Sequence, residues 1–249
     1  MPKTVIITGG TKGIGLALVE NFLQDGWNVV SGARNKSQDP KNSTSQNFFH
    51  ITGDTRDFNF HKQLASTALE KFGALDCYIN NAGFSKWLPI NEIDTKFLHE
   101  IFETNVFGYF YGSRIAADHI KNGSVINISS IAGKRGSLNN SAYVSTKFAI
   151  EGLTQSLAKE LGKQRIRVNS VCPVLIETPG LTAALELEHS PAHSKKMQNF
   201  LEEFSASQSA LGRLPTANEV AGLCLFLASE KASGITGQSI NVDCGVLPG

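Results

Sequence analysis

The sequence lacks the features that mark membrane, secreted and nucleic-acid-binding proteins. A membrane-spanning helix needs roughly 20 apolar residues, and the longest nearly pure apolar run covers only residues 221–228. The chain starts with a strand-like run and no signal-peptide pattern. Its 23 basic residues nearly balance its 22 acidic ones, which gives a net charge of +1 and no basic stripe. We therefore expect no membrane or nucleic acid partner.

Paired cysteines and clustered histidines are absent as well. The 4 cysteines occur singly, without a CxxC pair, at Cys77, Cys172, Cys224 and Cys244. Scattered thiols in apolar surroundings are typical of buried free cysteines in a reducing compartment, so we expect a cytoplasmic protein. The 6 histidines show no ligand-like spacing, and we expect no metal site.

Short apolar runs alternate with longer amphipathic segments along all 249 residues. The runs are nearly continuous in hydrophobicity, as in parallel strands buried on both faces; they are Thr4–Thr8, Asn28–Gly32, Phe48–Thr52, Leu75–Asn80, Ser124–Ser129, Arg167–Cys172 and Ser239–Val242. Helical patterns lie between them at about 13–25, 58–72, 94–120, 141–162 and 218–229. This alternation predicts an α/β fold in one domain, residues 1–249, with a parallel sheet between helices.

Two segments interrupt the alternation. Residues 35–47 are polar and rich in turn formers, so we expect an exposed loop in place of a crossover helix. Residues 179–210 contain a weak helix, a Ser-Pro break and a second amphipathic helix. A long excursion near the carboxyl ends of late strands is a reasonable lid over a ligand.

The first predicted strand runs directly into a glycine-rich turn, TGGTKGIG at residues 8–15, which is followed by a helical pattern. Gly9, Gly13 and Gly15 allow a tight turn that brings backbone N–H groups to a pyrophosphate at a helix N-terminus. Glycine trios are common in turns, so the strand–turn–helix context is what indicates a dinucleotide site.

The turn resembles the TGxxxGIG motif of the short-chain dehydrogenase/reductase family, and the similarity continues along nearly the whole chain. NNAG occupies residues 80–83, Asn105 lies in NVFG, Ser130 in SSIAG, and Tyr143 precedes Lys147 in YxxxK. The resemblance implies a Rossmann-type, doubly wound sheet of seven parallel strands. It also implies a nicotinamide-dependent oxidoreductase that reduces a ketone or aldehyde, or oxidises the alcohol, as a homo-oligomer (tetramer or dimer).

The second predicted strand indicates which cofactor is used. An acid at its end would bind the adenine-ribose hydroxyls, whereas a basic residue accommodates a 2′-phosphate. No acid is present, and the strand leads into Arg34, whose planar guanidinium suits phosphate. Lys12, in the glycine turn, is placed to reach the same phosphate. We predict NADP(H) over NAD(H); solvated surface charges are the alternative interpretation of both residues.

The resemblance assigns the remaining cofactor contacts. Asp54 would bond the adenine amino group, and Ile176 and Thr178, in a turn similar to the family's PGxIxT, would meet the carboxamide. The whole predicted cofactor set is Gly9, Thr11, Lys12, Gly13, Ile14, Gly15, Arg34, Asp54, Thr55, Asn81, Ala82, Gly83, Tyr143, Lys147, Ile176 and Thr178.

Tyr143 and Lys147 are four residues apart in a helical segment and so share one face. A tyrosine pKa of about 10 is too high for a base at neutral pH, and a nearby ammonium lowers it. Ser130, at a strand end, is placed to hold the substrate's oxygen. By resemblance, Asn105 supports a water that links Lys147 to solvent, and Lys147 binds the nicotinamide ribose. The predicted catalytic group is Asn105, Ser130, Tyr143 and Lys147.

The substrate is less constrained. We expect pocket walls from Phe84, Trp87 and Leu88, from 132–138, from Val174 and from 179–210, which favours a moderately apolar carbonyl compound. Lys134 and Arg135 would suit an anionic substrate or an acidic carrier protein, if they are not simply solvated.

Several functions stay open on this evidence: reduction of a 3-oxoacyl carrier protein, a sterol, a sugar or a small ketone, or non-catalytic NADP(H) sensing. An epimerase or dehydratase of the extended family would need a longer C-terminal domain. Val174 and Cys244 stand where the family usually has glycine, and their effect is not predicted.

Overall fold

The computed structural model describes residues 2–36, 40–41, 43–44 and 46–248. These residues form a seven-stranded parallel sheet in the order β3-β2-β1-β4-β5-β6-β7. The strands are β1 (Thr4–Thr8), β2 (Asn28–Ala33), β3 (Phe48–Thr52), β4 (Cys77–Asn80), β5 (Gly123–Ile128), β6 (Ile166–Pro173) and β7 (Ser239–Val242). The predicted doubly wound sheet is confirmed, and its order reverses between β1 and β4, where such sheets bind ligands.

The helices agree with the predicted segments except at one place. They are α1 (Gly13–Gln24), α2 (Phe58–Phe72), α3 (Thr95–Phe102), α4 (Gly108–His119), α5 (Ser141–Leu161), α6 (Pro179–Leu185), α7 (Met197–Gln208) and α8 (Ala217–Ala228). The single helix predicted at 94–120 is wrong in detail, because a π-helical turn at Glu103–Phe107 separates α3 from α4. Its wider hydrogen-bonded loop is a local feature that is common at functional sites.

The core lies on both faces of the sheet. Val5 and Ile7 of β1 pack on the face covered by α1 and α8, whereas Ile6 packs on the face covered by α2, α4 and α5. Side chains alternate along a strand, and all three are fully buried, so both faces of β1 are core. This explains the continuous hydrophobicity of the strand sequences.

Several helices begin with a side-chain cap, but α1 does not. The Asp57 carboxylate accepts a hydrogen bond from the backbone of α2, the Asp94 carboxylate does so for α3, and Thr178 does so for α6. The residue before α1, Lys12, makes no such bond. Backbone N–H groups at the start of α1 are therefore left for another acceptor.

The two predicted interruptions have different outcomes. Of the loop predicted at 35–47, residues 37–39, 42 and 45 lie outside the described part, and its described residues contain no helix. The segment 179–210 contains α6 and α7, and packs through Leu185, Ala192 and Leu201 against Trp87. No helix among the described residues is long and apolar enough to cross a bilayer.

Candidate active site

A cavity of about 650 Å³ opens at the carboxyl ends of the strands, beside the point where the strand order reverses. Its walls come from the glycine turn, the segments that follow β2 to β6, the start of α5, and α6 and α7. All of the residues predicted to bind the cofactor line this cavity, as does Ser130. The volume is within the range usual for small-molecule sites.

The glycine turn forms one wall by close backbone packing. Gly9 and Gly13 have φ of +72° and +56°, which glycine adopts readily. A Cβ on Gly15 would lie 2.0 Å from the Gly9 carbonyl oxygen. Asn81 Nδ2 donates to the Thr8 oxygen at 2.8 Å, which ties the segment after β4 to the turn. With the uncapped start of α1 behind it, this wall fits a pyrophosphate.

Charged side chains line the end of the cavity near β2 and β3. The side chains of Lys12 and Arg34 are exposed and make no hydrogen bond or ion pair with the part of the chain that the structure describes, although Arg34 lies near enough to Asp54 to help lower its pKa. Asp54 accepts hydrogen bonds from Arg56, with Nη2 and Oδ2 2.7 Å apart, and this pairing lowers the pKa of Asp54. The sequence reasoning missed Arg56, although a cation two residues after the acid was a visible signal.

Ser130 and Tyr143 line the same cavity as the glycine turn. The Ser130 hydroxyl accepts from Ala132 N at 3.1 Å and donates to the Pro173 oxygen at 3.3 Å. Burial raises the pKa of Tyr143 to about 12, and a hydrogen bond from Ser130 acts in the opposite direction. Tyr143 is therefore protonated at neutral pH, which suits a proton donor.

Lys147 is 4% exposed, one helical turn after Tyr143. Its Nζ donates to the Ile128 oxygen at 2.8 Å and lies 5.6 Å from the centroid of the Tyr143 ring and 5.4 Å from that of Tyr109. Burial lowers the pKa of Lys147 to about 8. Burial of the phenol is the largest cause of the raised Tyr143 pKa, and the lowering expected from Lys147 stays a prediction.

Asn105 is fully buried in the π-helical turn and does not line the cavity. Its Oδ1 accepts from Phe84 N at 3.0 Å, and its Nδ2 donates to the Phe84 oxygen at 2.9 Å and to Thr146 Oγ1 at 3.2 Å. The side chain thus fastens the segment after β4 to α5. Sequence reasoning selected the residue but not the π-helical turn that carries it.

Most, but not all, of the residues predicted to form the walls of the substrate pocket line the cavity. Leu88 does not line it; the residue is buried, and its N donates to the Asn139 oxygen at 2.6 Å. Lys134 is also directed elsewhere, to the Ser239 oxygen at 2.7 Å and to Asn241 Oδ1 at 2.6 Å. Arg135 does line the cavity. The segment 179–210 contributes lining residues that were not predicted individually, among them Leu181, Pro191, Phe200 and Phe204.

Val174 and Cys244, which stand where the family usually has glycine, differ in their backbone conformation. Val174 lines the cavity and does not have positive φ, so its side chain imposes no backbone strain. Cys244 has φ of +54°, in the left-handed region that disfavours residues with a Cβ. Burial raises the pKa of this half-buried thiol, whereas Cys77, Cys172 and Cys224 are fully buried. All 4 are free.

The family model described as enoyl-(acyl carrier protein) reductase matches residues 9–247. The L-2,3-butanediol dehydrogenase of Corynebacterium glutamicum is 33% identical, and the diacetyl reductase [(S)-acetoin forming] of Staphylococcus epidermidis 34%, each with 99% of both chains covered. The ligand-free structure of the aldohexose dehydrogenase of Thermoplasma acidophilum has a TM-score of 0.89 at 32% identity, covering 98% of this chain and 94% of the other. The chain therefore belongs to the short-chain dehydrogenase/reductase family of nicotinamide-dependent oxidoreductases.

Proposed function

We propose that the protein is an NADP(H)-dependent oxidoreductase that interconverts a ketone or aldehyde and its alcohol. The observation that carries this proposal is that Ser130, Tyr143 and Lys147 line the same cavity as the glycine turn. The names of the similar butanediol dehydrogenase and diacetyl reductase support the reaction class.

The residues of the cavity fit a dinucleotide. A Cβ at Gly15 would occupy space against Gly9, and the start of α1 has no side-chain cap, so the turn presents backbone donors to a diphosphate. The bound nicotinamide would supply hydride to the carbonyl carbon. On the protein side, Ile176 and Thr178 border the cavity after β6 and would hold the carboxamide end.

The chain's own residues would handle the proton. Ser130 would hold the substrate's oxygen by a hydrogen bond, and Tyr143, protonated at neutral pH, would donate its proton to that oxygen during reduction. Lys147 places a positive charge beside the phenol and stabilises the phenolate left after transfer. Asn105 would act indirectly, by holding Phe84 and Thr146 in position.

The preference for NADP(H) is supported by Lys12 and Arg34, which border the cavity and whose side chains make no ion pair with the described residues. We expect Arg34→Ala to raise the KM for NADPH by about 10- to 100-fold, as for loss of a charged hydrogen bond. The KM for NADH should change little, and Lys36→Ala, which removes a neighbouring exposed cation that does not line the cavity, serves as the control. Equal losses with both cofactors would contradict the assignment.

We propose a small, partly apolar carbonyl compound as the substrate, because Trp87, Leu181, Phe200 and Phe204 contribute to the cavity wall. The segment 179–210, which carries three of them, would act as its lid. A 3-oxoacyl carrier protein is the second candidate, and one observation favours it: Arg135 lines the cavity, and its side chain makes no hydrogen bond or ion pair with the described residues.

The test is oxidation of NADPH and of NADH, followed by absorbance, with a panel of carbonyl compounds that includes vicinal diketones and 3-oxoacyl thioesters. We expect turnover by the wild type and a loss of at least 100-fold in kcat for Tyr143→Phe. Tyr111→Phe, on α4 and away from the cavity, is the matched control. Equal turnover by the Tyr143 variant would refute the mechanism, and binding of cofactor without turnover would favour a sensor.

We further propose a cytoplasmic homo-oligomer. Phe107, Phe110 and Phe148, on the π-helical turn, α4 and α5, are 47%, 52% and 48% exposed, which is unusual for phenylalanine and favours helix pairing between copies. Light scattering after size-exclusion chromatography should give a dimer or tetramer, and replacing Phe110 with serine should shift it toward monomer.

A further inference from the structure

One buried carboxyl group, that of Glu151, lies on the same helix as Tyr143 and Lys147 of the proposed catalytic group. Glu151 is 7% exposed and follows Lys147 by one turn of α5, so the two side chains leave the same face of the helix. The proposed proton transfer does not use it. Buried acids are rare unless their charge is compensated, so its position calls for a physical reason.

Three side chains donate hydrogen bonds to Glu151. Ser170 Oγ lies 2.8 Å from Oε2, Cys172 Sγ lies 3.4 Å from Oε1, and Ser239 Oγ also donates to Oε2. Ser170 and Cys172 are on β6 and Ser239 is on β7. Hydrogen bonds from donors stabilise the charged form of a carboxyl group, and three of them converge on this one.

Two lysines belong to the elements that surround this carboxyl group. Lys147 precedes Glu151 by one turn on α5, and Lys134, after the turn at 131–133, is held against β7 by the Ser239 backbone oxygen and Asn241. The turn itself packs tightly on α5, since a Cβ on Gly133 would lie 3.1 Å from Glu151 Cγ and 3.0 Å from the Lys147 oxygen. The carboxyl group is thus held by the turn, β6 and β7, on the face of α5 that also carries Lys147.

The other titratable groups near Lys147 carry no charge at neutral pH. Burial raises the pKa of Cys172 on β6 and of Tyr143 to about 12, and it also raises the pKa of Tyr109 on α4. Burial lowers the pKa of Lys147, and electrostatic interactions with Cys172 and, after it, Glu151 oppose that effect. Among these neighbours, Glu151 is the carboxyl group, and three donors face it.

We propose that Glu151 is a positioning residue that keeps Lys147 protonated and so sets the alkaline limit of the reaction. This inference rests on the proposed function, in which the Lys147 ammonium stabilises the Tyr143 phenolate. Loss of the negative charge should make the ammonium easier to deprotonate, and activity should then fall at a lower pH.

The test is the dependence of kcat/KM on pH, between about pH 6 and pH 10, for Glu151→Gln. Gln keeps the shape and removes the charge, so we expect the alkaline limb to move down by about one pH unit. Glu151→Asp retains the charge, so its alkaline limb should lie close to that of the wild type. Ser170→Ala removes one donor but leaves the charge, and its limb should stay near that of the wild type. An equal loss at every pH for Glu151→Gln, or an equal shift for Ser170→Ala, would overturn the proposal.

A second readout does not depend on turnover. Lysine labelled with ¹³C at Cε, with the Lys147 signal assigned by its loss in Lys147→Met, gives the midpoint of Lys147 titration by NMR. That midpoint should be lower in Glu151→Gln, or in Glu151→Ala if the Gln variant does not fold, and it should stay close to the wild-type value in Glu151→Asp. An unchanged midpoint in the uncharged variant would refute the role of Glu151, whereas a lowered midpoint in a protein that reduces no carbonyl would refute only the proposed function.

Discussion

Lys147 should make the protein less stable than it would be with an apolar side chain of similar length. The residue is 4% exposed, and its ammonium has one protein hydrogen bond, to the Ile128 oxygen. The pKa of Lys147 falls from 10.5 to about 8 on burial, which is about 2.5 pH units. At about 1.4 kcal/mol per unit, holding the ammonium in place costs about 3 kcal/mol at pH 7.

Lys147→Met removes that cost and also the hydrogen bond to Ile128, which contributes about 1 kcal/mol. The net gain is about 2 kcal/mol, and for a domain of 249 residues this raises Tm by about 4–8 °C. The same substitution should abolish turnover. Stability and activity would then be opposed at one residue, as is common where a site holds strained or buried charge.

The sign of the pH dependence follows from the lowered pKa. Below about pH 8 Lys147 is charged in both the folded and unfolded states, and the cost is complete. Between about pH 8 and pH 10.5 the folded protein releases the proton first, so the wild type gains stability as pH rises. The advantage of Lys147→Met should therefore shrink across this window.

The assay is urea unfolding at about pH 7 and pH 10, for the wild type, Lys147→Met and Lys159→Met. Lys159 is exposed on the same helix, so its replacement should leave the free energy of unfolding nearly unchanged at both pH values. A Lys147 variant that is no more stable than the wild type at pH 7, or whose advantage does not diminish at pH 10, would refute the reasoning.

Three further predictions concern the backbone and its supports. Cys244→Gly relieves the left-handed backbone at φ +54° and should raise Tm by about 1–3 °C in calorimetry, whereas Cys244→Ala, which keeps the strain, should not. Gly15→Ala places a Cβ 2.0 Å from the Gly9 oxygen and should weaken NADPH binding at least tenfold in fluorescence titration; unaltered affinity would argue against the glycine turn as the diphosphate site. Asn105→Ala leaves the Phe84 N–H and oxygen without their side-chain partner, and urea unfolding should show a loss of about 1–3 kcal/mol; a loss below about 0.5 kcal/mol would contradict the support assigned to Asn105.

The strands and helices were predictable because the burial of each element is reflected in the hydrophobic pattern of its own sequence. Val5, Ile6 and Ile7 are all buried, and their unbroken hydrophobicity is what two-sided burial requires. The π-helical turn at Glu103–Phe107 left no comparable trace, since one wider turn hardly changes apolar spacing over residues 94–120. Helix type there depends on tertiary contacts, such as those of Asn105 with Phe84.

The candidate site likewise combines features that the sequence predicts with features that it does not. The glycine turn and the pair Tyr143 and Lys147 are local patterns, and their spacing alone suggests their chemistry. The surroundings of Lys147 depend on contacts distant in sequence, and so does its pKa. Glu151 meets Ser239, 88 residues later, and no short motif records that contact. Burial of the Tyr143 phenol, which raises its pKa, is likewise a property of the folded cavity.

The position of β7 has a consequence for the order of folding. β7 comes last in chain order among the described strands and forms an edge of the sheet, beside β6. Ser239 and Asn241 on it hold Lys134, and Ser239 also donates to Glu151. The glycine turn and β1 to β5 can assemble from earlier parts of the chain, whereas Glu151 and Lys134 lack these partners until β7 pairs with β6. Docking of this edge strand is therefore the step that completes the hydrogen bonds of both charged side chains.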